Sequence, residues 1–491
     1  MFMLNFEPFS ISSLQKVLPY VKKNPSLCSN LSAGYLFMWN EGIDVRFCVH
    51  NDTFVVRQTL GEQTAFSYPI GSDINGMIDE LKEYALQNRL PLRFFAVDEK
   101  ILDAIRSDTC LQPAMWTYDR RWSDYIYSFD EIMSFKGRKF NGQRNHINKF
   151  KKLYGEPDVR FLTPADKIKV QELLNEYETE HSDSHNLELV ELQRTKELLD
   201  VYDTLGLYAA GLFVQGKLAA FSIGEVVGDM LLIHVEKALT KYNGVYPTMF
   251  SNFVRLICDR LGYPLKYVNR EDDSGDPGLA TSKMQYHPIG MENKYIVHVN
   301  SPATKMDKTF SFSVADIVLT EIRESDKTAY LKLNTDIDNN RYWGYDYRED
   351  LSISQPVDEN TFYNSVMLDM RAGDSINFAV RLSKDGEMIG EVVLWNFTSD
   401  GTAELGCRIF AEYQGNGYGK TAFGAVADFA TRVLNVKVVA RCFRENMPSY
   451  RMIVANDFIL QDKDEKCYYF KQVSTPKTGF IPKATPLHAV K

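Results

Sequence analysis

Between Gln414 and Lys420 the chain reads QGNGYGK, with glycines at 415, 417 and 419. Glycine lacks a Cβ, so a loop of this kind lets backbone amides approach a ligand closely and adopts positive φ at little steric cost. If the loop opens a helix, its N–H groups point outward at the positive end of the helix dipole, where a phosphate is the fitting counter-charge. A second anion-holding candidate runs from Lys136 to Lys152, KGRKFNGQRNHINKFKK, with seven Lys or Arg and no acid. Arg144 and Asn145 stand in its middle, and an exposed helix flank or a phosphate contact are both open readings of such a run. Carboxylates gather in a third set, Glu225, Glu236, Glu271, Asp272 and Asp273 with Lys237 and Lys283. These residue types suit a cationic amine or an aminoacyl ammonium group, and equally a structural salt-bridge network.

The elements that must position these residues follow one order, repeated. From Ser375 to Phe443 the pattern predicts strand, strand, strand, glycine loop, helix, strand, the helix resting on Phe423, Val426, Phe429, Ala430 and Val433 at spacings of three or four. From Leu207 to Asp272 the same order returns, with LTKYNGVYP in the loop position and MFSNFVRLICDRLG as the helix. A fainter copy lies at VRFCVHN, TFVVRQTL, TAFSYPIG, INGMIDELKEYALQN and LRFFAVDE. The expected organisation is a degenerate unit over 1–130, a second over 131–300, a third over 310–472, and a loose tail over 473–491. SPATKMDKT (301–309) and YSFDEIMSF (127–135) read as joints between units.

Composition narrows the function classes. The 491 residues are 44% apolar and 25% charged with a net charge of −9, which disfavours wholesale nucleic-acid binding while leaving room for one basic surface. No apolar run approaches the roughly 18 residues of a membrane span, and MFMLNFEPFS lacks the flank of a signal peptide. The seven cysteines are scattered without a CxxC pair, which predicts reduced thiols, no metal site and a cytoplasmic setting.

Gln414-x-x-Gly417-x-Gly419 resembles the acyl-CoA pyrophosphate loop of the GNAT N-acetyltransferases. GEVVLWN, AELGCRIFAEYQGNGYG and ENMPSYRMIVANDF, with Asn446, Ser449 and Phe458 in register, are similar to the branch that acetylates N-terminal amines of ribosomal proteins. The resemblance covers about 310–472. It implies acetyl-CoA as cofactor, held by the amides of Gln414, Gly415, Asn416, Gly417, Tyr418, Gly419 and Lys420. Main-chain groups around Arg408 and Ile409, and Asn446 from the next strand, would meet the pantetheine arm. Amine attack on a thioester asks for a base, and Glu404 on the fourth strand is the candidate, a solvent-face carboxylate being the other open reading, with Ser449 and Tyr450 the other candidate catalytic residues. Ile453 stands where many members carry a tyrosine acid, and Asp457 where a glycine precedes the closing phenylalanine.

VNREDDSGDPGLATSKMQYHP (268–288), RNHINKF, IGEVV and HVEKA resemble the C-terminal domain of phosphatidylglycerol lysyltransferases and its soluble relatives, with Asn269, Glu271, Asp273, Gly275, Gly278, Leu279, Lys283, Tyr286 and Pro288 in one register. Ala280 replaces an arginine frequent there. That family is built from two acetyltransferase-like folds, so the resemblances together imply an α/β protein of three tandem GNAT-like folds, each a mixed, mostly antiparallel sheet flanked by helices. They also imply tRNA or another phosphorylated partner at 136–152 and a small-molecule or peptide amine as acceptor. Two functions compete: a transferase that acetylates an amine, and a binding protein whose folds are retired from catalysis. Oligomeric state is open.

Overall fold

The computed structural model describes residues 4–473 apart from 23, 25, 40–42, 62, 181–185, 307–309, 349, 351–352, 354–355 and 385. Beyond Val473, the expected loose tail lies outside the described residues. The chain forms two compact units, the first of Met1–Asp79, Phe94–Leu102 and Tyr118–Tyr295, the second of Glu80–Arg93, Asp103–Thr117 and Ile296–Lys491. Boundaries drawn along the sequence did not anticipate that 80–93 and 103–117 group with the C-terminal part.

In the first unit, strands Asp44–His50, Thr53–Leu60 and Gln63–Ser67 make an antiparallel meander. Asn51 and Asp52, both near φ +50, supply the tight turn that matches strand twist. Arg93–Val97 then pairs in parallel, Phe66 opposite Phe94. A second sheet runs in the order Gly290–Glu292, Asp124–Ser128, Tyr267–Asn269, Met230–Ala238, Lys217–Val227, Tyr208–Val214, Asp158–Phe161. Tyr127 and Phe129, expected in a joint, are buried in strand Asp124–Ser128 and helix Phe129–Ser134. The helix of this unit spans Val245–Leu261, starting earlier than the apolar spacing implied because Gly244, at φ +80, turns the chain directly into it. Phe250, Phe253, Val254 and Ile257 seal its inner face.

The second unit is one eight-stranded sheet in the order Ser311–Val314, Ile317–Glu321, Ser375–Leu382, Met388–Trp395, Thr402–Ile409, Lys437–Phe443, Cys467–Gln472, Phe458–Lys463. Alternation sorts its residues: Ile376, Phe378 and Val380 pack with helix Tyr418–Phe429, while Ala379 packs with helices Lys327–Thr335 and Glu359–Ala372. Val433 is exposed, contrary to the spacing. A wider π-type turn over Ala430–Leu434 rotates the helix end and buries Leu434 instead. The hairpin Phe458–Lys463 with Cys467–Gln472 carries too few inward apolar residues to have stood out as strands, chiefly Phe458, Cys467 and Phe470.

Candidate functional site

Every neighbouring pair in the sheet of the second unit is antiparallel except Thr402–Ile409 with Lys437–Phe443. That parallel pair is registered only over Thr402–Lys437, Ala403–Val438 and Glu404–Val439. Beyond Glu404 the strands part. Phe410 N–H donates to Ile389 at 2.9 Å, so alternation turns the even-numbered amides of this strand toward Met388–Trp395 and those of Cys407 and Ile409 into the gap. Arg408, expected to offer its main chain to a ligand, therefore faces its neighbour strand, and its side chain is buried as well. Its guanidinium lies 2.5 Å from Glu391, donates to Asn340 (2.8 Å) and Asn334 (2.9 Å), and sits under Trp343.

The glycine loop closes one end of the gap. The Gln414 side chain brackets it by donating to the carbonyl of Ile409 and to Asn339, both at 2.9 Å. Gly415 and Gly417 sit at φ +80 and +82, with no atom within 4 Å of where a Cβ would be. Gly417 is the residue before helix Tyr418–Phe429, so the amides of Tyr418, Gly419 and Lys420 form its outward-pointing first turn. Asn416 turns its side chain back onto the carbonyls of Tyr413 and Gln414. Open space, positive φ and a helix start together fit a pyrophosphate.

Glu404 shares its sheet face with Gly406, Arg408 and Arg441. It is not a solvent-face carboxylate: its side chain is 14% exposed and its Oε1 lies 2.9 Å from Arg441 Nε. Asn446, expected opposite the gap, instead caps helix Met447–Val454 by accepting from the Ser449 amide at 3.2 Å. Tyr450 packs edge to face against Tyr468 and Phe470, whose side chains alternate with that of Tyr469 opposite Arg441. Tyr450 and Glu404 thus lie on opposite faces of the sheet, and the structure does not bring them together.

In the first unit the corresponding parallel pair, Met230–Leu232 with Tyr267–Asn269, also parts after three residues. Here side chains cross the opening. Arg270 donates to Glu236 at 2.8 Å and stacks on Phe250 and Tyr286. His234, fully buried, places Nδ1 2.7 Å from Glu271 and Nε2 3.3 Å from Glu225. Glu225 also accepts the amides of Ala33 and Gly34. Burial alone would push His234 down, but the hydrogen bonds to Glu225 and Glu271 outweigh it and raise it to about 9. Lys283 is buried with its amine on the carbonyls of Arg270 and Asp272. Desolvation, then Arg270, lower it to about 8. Asp273 holds Arg120, the Tyr125 hydroxyl and the Gly275 amide. Asn269 donates to Asp124 and Leu27, and Lys294 bridges Asp124 (2.6 Å) and Asp272 (3.1 Å). Lys237 does not join this network: it pairs with Glu191 at 2.9 Å. His234, Asp124, Arg120 and Lys294 were missed from sequence. His234 was visible within HVEKA, whereas Asp124 and Lys294 lie too far along the chain for any spacing to connect them.

The basic segment forms a helix over Asn141–Tyr154. Arg144, a candidate substrate contact, is turned inward onto the carbonyls of Phe135 and Gly137. Lys139 pairs with Glu131 and Lys151 with Glu156, acids just outside the run. Lys136, Arg138, Lys149 and Lys152 remain exposed beside Asn145.

Residues 25–298, more than half of the chain, match the family model described as phosphatidylglycerol lysyltransferase, C-terminal. The chain belongs to this family. Residues 316–459 match the GNAT acetyltransferase domain, so the second unit contains an acyltransferase fold. A solved conserved protein of unknown function from Bacteroides thetaiotaomicron is 27% identical with a TM-score of 0.56, covering 61% of this chain and all of that one. The uncharacterized N-acetyltransferase YnaD of Bacillus subtilis is 24% identical over 147 residues, 29% of this chain and 76% of that protein. The uncharacterized protein MYCGA3080 of Mycoplasmoides gallisepticum is 24% identical over 182 residues, and the match spans 36% of this chain and only 56% of that protein's length. Among the described residues no helix is long and apolar enough to cross a membrane.

A histidine raised from 6.5 to about 9 stabilises the fold fully below pH 6.5 and loses that contribution as pH rises toward 9. Glu292, raised to about 7 by burial, acts in the same direction but only below that pH, and Lys283 acts oppositely only above about 8. Between pH 7 and 8, urea unfolding of the wild type should therefore lose about 1 kcal/mol, and His234→Gln should flatten that slope while being less stable at pH 7.

Proposed function

We propose that the second unit transfers an acetyl group from acetyl-CoA to an amine. The observation that carries this reading is the parting of the strands after Glu404, which opens directly onto the glycine loop. Acetyl-CoA supplies the thioester carbonyl. The amides of Gln414 to Lys420 hold the pyrophosphate, and the inward-facing main chain of Cys407 and Ile409 lies along the arm. Glu404, within reach of the gap on the face covered by Trp343 and Trp395, takes the proton the attacking amine loses as its C–N bond forms and the C–S bond breaks. Ser449 and Tyr450, at the start of helix Met447–Val454, are the candidates to return a proton to sulfur.

The first unit, by its family, binds or modifies an aminoacyl or amine-bearing partner, and Lys136, Arg138, Lys149 and Lys152 offer a phosphate-binding surface for tRNA. Glu225, Glu236, Asn269, Glu271, Asp273 and Lys283 then serve by holding the walls of that site. A binding-only role is favoured for its CoA-like gap. Arg270 and Glu236 cross it, and a Cβ on Gly244 at its helix start would fall 2.2 Å from the His146 carbonyl, so no open cradle faces a phosphate there. One CoA per chain is the consequence.

Gly417→Ala adds strain at positive φ, about 1–2 kcal/mol, whereas Gly417→Glu adds a charge where phosphate would lie. Calorimetry should give one CoA site in the wild type, modest weakening for alanine and at least tenfold further weakening for glutamate. Equal affinities for the two variants contradict the cradle. Glu404→Gln should cost about 10²-fold to 10⁴-fold in acetyl transfer measured by mass spectrometry across an amine panel, and an unchanged rate removes Glu404 from the chemistry. For the basic surface, gel-shift affinity for tRNA should fall steeply with salt, and Lys149→Gln with Lys152→Gln should reduce the log–log slope by about 2. No retention of tRNA at low salt overturns that part.

A further inference from the structure

Arg441 projects from the strand Lys437–Phe443 just past the last registered pair, Glu404 with Val439, and reaches back across the opening to Glu404. Its guanidinium also lies 5.8 Å from the centre of the Trp395 ring, and Trp395 is the residue directly opposite Glu404 on the other neighbouring strand. Glu404 is therefore held by Arg441 from the neighbouring strand at the point where the gap begins. Several charged or polar groups nearby have partners of their own. Arg408 on the same strand is bound to Glu391, Lys437 lies at the far end against the Asp400 carbonyl, and Tyr469 opposite Arg441 donates to Asp464. From the covering segment Arg341 faces Glu445, and Tyr345 faces Asp350.

We propose that Arg441 is a positioning residue for Glu404, holding its carboxylate charged and fixed at the mouth of the gap so that the acceptor is drawn there as an ammonium ion. This rests on the reading of Glu404 as the base. Gripping Oε1 at 2.9 Å fixes the carboxylate in one orientation. A permanent cation at that distance favours the ionised form of a poorly hydrated carboxylate. The ammonium ion releases one proton to solvent on becoming the free amine, and Glu404, already desolvated and aimed, takes the second as the C–N bond forms. An exposed, freely rotating glutamate would offer neither property.

The test needs no knowledge of the acceptor. In the full chain labelled with ¹³C at the glutamate carboxyl, the Glu404 resonance is assigned by its loss in Glu404→Gln and titrated with pH. Arg441→Gln should raise its midpoint by about 1–3 units, and Arg441→Lys, which keeps the charge without the planar fork, should fall between. CoA affinity by calorimetry should not change in either variant, because the glycine loop is untouched. A midpoint that stays put in both variants overturns the proposal. Full acetyl transfer by Glu404→Gln, together with a midpoint that moves, removes the base reading on which the role rests while leaving the electrostatic coupling standing, so the two failures are told apart.

Discussion

A parallel strand pair that stops after three residues is the constraint from which the second unit follows. Buried main-chain groups need partners, and the edge of Thr402–Ile409 that faces the opening is deprived of its ladder from Leu405 onward. The protein answers at one end with side chains: Asn339 and Gln414 both donate to the Ile409 carbonyl. Along the rest, the edge resembles a sheet awaiting one more extended segment. The parting also frees the faces of the two strands for different tasks. One face takes helix Tyr418–Phe429 and the core, the other takes Arg408, Glu391 and the helices that carry Asn334 and Asn340. A buried guanidinium is tolerable only when its donors are met, and here a carboxylate, two amides and the Trp343 ring meet them.

The first unit repeats the same parting and fills it with its own side chains. Arg270, packed against Phe250 and Tyr286 and bonded to Glu236, occupies the opening as a desolvated charge that cannot leave without stranding its partner. The helix start that would face a phosphate is pressed against the backbone of His146. Two structures built from one strand order thus differ in what a ligand could find. In one, the backbone is left bare beside open glycines. In the other, every approach ends at an ion pair.

Much of this was legible in the sequence, and the limits have physical causes. Alternation and three-or-four spacing located the three repeated orders because the central strands are buried along almost their whole length, as in Met388–Trp395, where only Trp395 is partly exposed. The glycine loop was legible because positive φ and open space restrict the residue type, and Gly415 and Gly417 show both. Spacing failed at Val433, where a wider turn shifted the helix register, and at the Phe458–Gln472 hairpin, whose outer residues face water. Charge counting failed at Arg144, because a count cannot distinguish an exposed cation from one satisfying backbone carbonyls. It failed again at Asp124 and Lys294, which meet only after the sheet brings positions 29, 124, 272 and 294 together.

The arrangement around Glu404 and the one around Glu271 show how similar residue types acquire different capacities. Glu271 shares His234 with Glu225, and desolvation raises it from its usual value. Its position, at φ +56, is fixed by the loop that Lys283 ties down. Glu404 pairs with Arg441 and stands where two strands separate. A carboxylate needs both a reason to be charged and a path to a reacting group before it can take part in chemistry at an amine. The pairing with His234 gives Glu271 a structural task, whereas the opening beside Glu404 gives a carboxylate held by Arg441 a path to an incoming ammonium ion.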